Sequence, residues 1–150
     1  MPIIATAGLD DCSTEHNGAT IRLEVVRFIE LLSAEGVQTV RVWCSWNPDL
    51  PDDIPLQSPE EIISPGLVPT FLDAAVKNGV WTYGDVGNRA GIDALDGSFK
   101  FFLGNDKNIN LETENHRLLE ATRSAWINAG YEIYEGDGKT SVRTNPAARS

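Results

Sequence analysis

The sequence predicts an α/β (or α+β) domain: a single mixed sheet, parallel at its centre, with an antiparallel hairpin edge and about three covering helices. Three observations lead there. A helix-like stretch, a glycine and a β-rich run follow one another three times: "TIRLEVVRFIELLSAEG" before "VQTVRVWC", "PTFLDAAVKNG" before "VWTYGDVG", and "HRLLEATRSAWINAG" before "YEIYEGDG". A strand-like "PIIATA" precedes the first, which makes a strand–helix–strand unit whose usual solution is a right-handed parallel crossover. Residues 99–111 carry apolar side chains on both sides of the turn residues Gly104, Asn105 and Asp106, as a hairpin does.

Each element has its own local reason. In the first helix Ile21, Val25, Phe28, Ile29 and Leu32 fall on one face, and Gly36 supplies the left-handed stop. The strand after it sets Val40, Val42 and Cys44 on one side and Thr39, Arg41 and Trp43 on the other. In the third helix Leu118, Thr122, Ala125 and Ala129 form the inward stripe, flanked by Leu119 and by Trp126, which is expected to be mostly buried. "EGDGK" reads as a tight turn into a short edge strand, "TSVRT", and the tail "NPAARS" is expected to fray. The chain therefore reads as one domain over 1–144 followed by a tail over 145–150.

Composition narrows the class. A chain of 150 residues with 41% hydrophobic and 23% charged content has the balance of a globular protein. The most apolar helix is interrupted by Arg22, Glu24, Arg27 and Glu30, so it is amphipathic rather than membrane-spanning. The first residues lack the basic start of a secretion signal, which makes a cytoplasmic location the expectation. Two cysteines, Cys12 and Cys44, form no disulfide framework and are expected to be reduced. With His16 and His116 they lack the spacing of a zinc site, and no cofactor motif is complete. "GDGKTS" has Ile133 where a phosphate loop needs glycine, and "DKNIN" is followed by Leu111 where a calcium loop needs one.

The net charge is −10, and it is uneven. Residues 1–75 hold 12 acids against Arg22, Arg27 and Arg41, whereas residues 76–150 hold 10 acids against 9 bases. Nucleic acid and anionic membranes are poor partners for such a chain, and basic proteins are good ones.

Two segments are candidates for the working surface. The loop "GLDDCSTEHNG" gathers Asp10, Asp11, Cys12 and His16 after the first strand, on the side where parallel sheets bind ligands. Cys12 and His16 would serve as nucleophile and base, with Asp10 or Asp11 orienting the ring. Against this, neighbouring carboxylates raise a thiol's pKa, and polar residues before a helix are ordinary caps. Cys44, Trp46 and Asp85 are expected on the same rim, with Cys12 and Cys44 close but unbridged. The second segment, "CSWNPDLPDDIPLQSPEEIISPGLVP", holds six prolines and no base. Ser58-Pro59-Glu60-Glu61 has the form of a capped helical turn within it. Trp46 and Leu50 stand there among Asp49, Asp52, Asp53, Glu60 and Glu61, apolar anchors in an acidic rim.

These features predict a small acidic binding protein that inhibits or neutralises a basic partner by occlusion, in the manner of an immunity protein, an antitoxin or a phage inhibitor. The partner would be a toxin or a nucleic-acid enzyme. The alternative is a small hydrolase or transferase using Asp10, Asp11, Cys12 and His16.

Overall fold

Apolar residues at helical spacing bury themselves as their periodicity requires. The structure is a computed structural model that describes residues 2–6, 18–46, 60–83, 88–103, 109–131, 133–136 and 141–144. Helix α1 (Gly18–Ala34) buries Ile21, Val25, Phe28, Ile29 and Leu32, the face read from the sequence. Helices α2 (Val68–Lys77) and α3 (His116–Asn128) follow the same rule, and Gly36, Gly79 and Gly130 end the three helices at φ of 75°, 73° and 85°. Asn115 caps α3, its side chain accepting from the backbone N–H groups of Arg117 and Leu118 at 3.0 and 3.2 Å. On the inward stripe of α3, Leu118, Thr122 and Trp126 are buried, whereas Ala129, assigned inward from the sequence, is exposed at the helix end.

The described residues hold eight strands: β1 (Ile3–Thr6), β2 (Val40–Trp46), β3 (Glu60–Ile63), β4 (Asn88–Asp93), β5 (Phe99–Leu103), β6 (Ile109–Thr113), β7 (Ile133–Gly136) and β8 (Ser141–Thr144). They form one sheet in the order β3-β2-β4-β5-β6-β1-β7-β8. Every pairing is antiparallel, so the expected parallel centre is absent. The reason lies in what fills the crossover. Four antiparallel steps separate β1 from β2, so the two strands do run the same way, but β4, β5 and β6 lie between them. Four strand spacings amount to about 19 Å. The strand adjacency on which the expected closeness of Cys12 and Cys44 rested is therefore absent, and Cys12 itself lies outside the described residues. The 99–111 hairpin, expected at an edge, occupies the middle, and the edge hairpin is β7–β8.

Two further expectations fail locally. Residues 80–83 are not a strand; Trp81 instead turns into the core at 2% exposure. The helical turn expected at 58–61 is replaced from Glu60 onward by β3, whose register with β2 places Ile63 opposite Val40 and Glu61 opposite Val42. A short 3-10 turn, Pro65–Leu67, then leads into α2.

All three helices cover one face of the sheet. Val40, Val42, Cys44, Ile92, Phe101 and Leu111 line the buried side, and Phe28 of α1 stacks on Phe101 at 4.2 Å between ring centroids. Helix α2 packs on β2, and α3 packs on β6, β1 and β7. The domain boundary predicted at residue 144 borders the tail 145–150, which lies outside the described residues.

Candidate functional site

Alternation along the strands sends every second side chain to the face that no helix covers among the described residues. On that face two rows cross the sheet. Arg41, Asp93, Lys100 and Glu112 stand opposite one another on β2, β4, β5 and β6. Their signs alternate, so each charge has an opposite neighbour. The second row is Trp43, Gly91, Phe102 and Asn110, with Glu60 of β3 opposite Trp43.

Gly91 decides the form of this row. A Cβ at position 91 would overlap the indole of Trp43, so glycine is what lets the ring lie across the neighbouring strand. The indole Nε1 donates to Asp93 Oδ2 at 3.3 Å, and the ring of Phe102 lies 6.0 Å away at 43°. A depression of about 400 Å³ results, lined by Trp43, Asp93, Lys100, Phe102, Asn110 and Glu112. Asp93 is half-buried there, and burial pushes its carboxyl above the ordinary range, against the opposing pull of the Trp43 hydrogen bond and of Lys100 and Arg41.

Next to this face lies the end strand of the sheet. On β3, Glu60, Glu61 and Ile62 are exposed. Glu60 and Ile62 share the open face with Trp43 and Arg41, and Arg41 Nε sits 3.0 Å from Glu60 Oε1. Glu61 and Ile63 point to the other face, where they join α2 in walling a groove of about 380 Å³. Behind it, Asp73 of α2 is clamped by Arg22 of α1 through two hydrogen bonds of 3.0 and 2.7 Å, and Tyr83 donates to it at 2.9 Å. The Arg22 hydrogen bond holds the Asp73 carboxyl below the ordinary value of 3.8, helped by Tyr83 and opposed by burial.

Of the residues predicted as a partner surface, Glu60 and Glu61 are both exposed on this strand, on its opposite faces. Trp46 ends β2; its side chain, and Asp49, Leu50, Asp52 and Asp53, lie outside the described residues. Asp10, Asp11, Cys12 and His16 also lie outside them, as does Asp85. Cys44, expected at the rim, is instead a core residue on the helix side, and burial pushes its thiol up to about 11. Such a thiol is a packing group rather than a nucleophile.

The sequence reading missed Trp43, Gly91, Asp93 and Phe102 as a group. One signal was present: a tryptophan on the polar side of a strand, opposite to Val42 and Cys44. Among the described residues no group of three or more His, Cys, Asp or Glu could hold a metal ion, and no helix is long and apolar enough to cross a membrane. The arrangement suits recognition: aromatic surface for contact, and carboxylates for orientation and charge. No protein-family model, no curated protein and no solved structure matches this chain.

Proposed function

We propose that this chain is a small acidic binding protein that inhibits or neutralises a basic partner protein by occluding it, as immunity proteins, antitoxins and phage inhibitors do. The observation that supports the reading most is the open sheet face around Trp43. A half-buried aromatic laid over glycine, beside Phe102 and next to an acidic end strand, resembles the anchor-and-rim pattern of a protein interface. The net charge of −10 adds a long-range field that speeds encounter with a cationic surface. The proposed contact surface comprises Trp43 and Glu60 on the open face and Glu61 on the other face of the same end strand, together with Trp46 at the end of β2 and Asp49, Leu50, Asp52 and Asp53 of the segment between β2 and β3.

Co-purification from the native host tests this with two baits, the wild type and a Trp43→Ala, Glu60→Lys, Glu61→Lys variant. The expected result is one stoichiometric basic protein, held by the wild type and lost from the variant, whose own activity returns once it is released. Identical sets of proteins on both baits would refute the proposed surface. A wild-type preparation that turns over a substrate unaided would refute the inhibitor reading.

A further inference from the structure

We infer that the outer edge of β3 receives an extended segment of the basic partner as an added antiparallel strand, with the local sequence apolar-apolar-basic-basic. The inference rests on the reading above and specifies its mode of recognition.

Among the described residues strand β3 ends the sheet and pairs only with β2. Its outward N–H and C=O groups are therefore a template for another strand. Apolar surface is concentrated beside this edge. Three of the six large hydrophobic residues that are exposed among the described residues are here: Ile62 on β3 itself, and Leu67 and Val80 in the lining of the groove beside it. The groove of about 380 Å³ between β3 and α2 is walled by Ile63, Phe71, Ala75 and Val80, and Glu61 is its one charged lining residue among those described. An apolar patch with a polar border marks an interaction site.

Register then defines the occupant. Each face of β3 offers one carboxylate and one isoleucine: Glu61 and Ile63 on the groove side, Glu60 and Ile62 on the open side. An antiparallel strand laid alongside meets Ile63, Ile62, Glu61 and Glu60 in turn. Cross-strand complementarity asks for two apolar residues followed by two basic ones. A strictly alternating basic-apolar strand fails, because it would put both bases on one face and both apolar residues on the other. A second copy of this chain is a poor occupant, since in the same antiparallel register it would set Glu60 opposite Ile63 and Glu61 opposite Ile62, leaving every carboxylate without a cationic partner. The same carboxylates that guard the edge against self-pairing select a cationic strand.

The test uses the ¹⁵N-labelled full chain and two capped octapeptides of equal composition and charge. One has Val-Val-Lys-Lys between pairs of threonine, and the other has Lys-Val-Lys-Val there. The first is expected to bind about tenfold more tightly, with amide shifts centred on residues 60–63 and on Val80. A Glu60→Lys, Glu61→Lys variant should reverse the preference toward Val-Val-Glu-Glu. Val80→Asp at the groove's exposed rim should weaken the first peptide while leaving the fold's amide dispersion intact. Equal affinities, no binding at millimolar peptide, shifts centred on Trp43 and Phe102, or self-association of the free protein through β3 would each overturn the inference. A native basic partner that binds without protecting β3 from hydrogen exchange would refute this mode and leave the inhibitor reading standing. Selective peptide binding without any basic partner in the host would do the reverse.

Discussion

The buried carboxylate of Glu24 on α1 accepts a 2.9 Å hydrogen bond from the indole Nε1 of Trp126 on α3. Glu24 is 1% exposed, and Tyr131 and Arg27 also donate to it, at 3.2 and 2.9 Å. An ionised group out of water survives only with such partners. Here the partners tie the second half of the chain to the first. Glu24→Ala would leave an indole, a phenol and part of a guanidinium without their acceptor, and should cost about 3–5 kcal/mol. Trp126→Phe, which removes the donor and keeps most of the ring, should cost about 1–3 kcal/mol. Trp126→Ala should cost about 3–5 kcal/mol as a core truncation. Denaturant titrations of the Glu24→Ala and Trp126→Phe singles and of their double measure the coupling. Simple additivity of the two costs would show that the bond contributes nothing of its own.

Burial of Trp126 was legible because it flanks the inward helical stripe that holds Leu118 and Thr122. Its partner was not, because Glu24 reads as one more charge on an amphipathic helix, and only the packing of α1 on α3 removes it from water. The same division runs through the fold. Helices α1, α2 and α3 and their glycine stops follow from local periodicity. Strands β3 and β4 do not, since "EEII" and "NRAGID" carry charge and glycine where a strand signal needs β-branched or aromatic residues. Their pairing with β2 is a non-local fact, and with it goes the antiparallel centre. Missing β4 also meant missing Gly91 and Asp93, and without them Trp43 was only a tryptophan on a polar face.

Two aspartates should respond to pH in opposite directions. Asp73, hydrogen-bonded first of all by Arg22, titrates below its ordinary value of 3.8. Its contribution to stability is therefore complete above the unfolded value and fades as pH falls through the lowered one. Asp93, raised chiefly by burial, behaves in the reverse way: it is neutral to stability at low pH, and its penalty grows as pH passes the ordinary value and is complete above the raised one. Melting temperatures from pH 7 to pH 2 are expected to show Asp73→Asn destabilised at neutral pH, with the gap closing in acid. Asp93→Asn should match or exceed the wild type at neutral pH, with its advantage closing in acid. A destabilised Asp93→Asn at pH 7 would mean that its carboxylate is held by stronger partners than Trp43.

The platform on the open face depends on a missing side chain. Gly91→Ala should force Trp43 off the strand, because the added Cβ would occupy the place of the indole. The bond to Asp93 should be lost, and the Trp43 Nε1–H resonance should move toward its solvent position. Affinity for the basic partner should fall about as far as in Trp43→Ala, since the anchor is displaced rather than deleted. Crowding of this kind costs about 1–3 kcal/mol in a closed core; on an open face, where the ring can swing outward, the cost should lie at the lower end. An unchanged Trp43 resonance together with unchanged binding would show that the platform has no role.

The choice between occlusion and catalysis comes down to which substitutions matter. If the protein acts by binding, changing Asp49, Asp52 and Asp53 together to Asn should slow association with the basic partner and flatten its dependence on salt, because charges at a solvated contact surface steer encounter. Stability should scarcely change, since such charges contribute little to the fold. Trp46→Ala and Trp43→Ala should act instead on the off-rate, as loss of buried anchors does. Cys12→Ser and His16→Ala should be close to silent in both rates. Catalysis at Asp10, Asp11, Cys12 and His16 demands the opposite pattern, with the arm charges nearly neutral and either Cys12→Ser or His16→Ala lowering turnover by orders of magnitude. Stopped-flow association at two salt concentrations, run beside an assay of the partner's activity, separates the patterns in one set of variants. If His16→Ala abolishes the biological effect while the triple Asn variant behaves as wild type, occlusion by the acidic surface is ruled out.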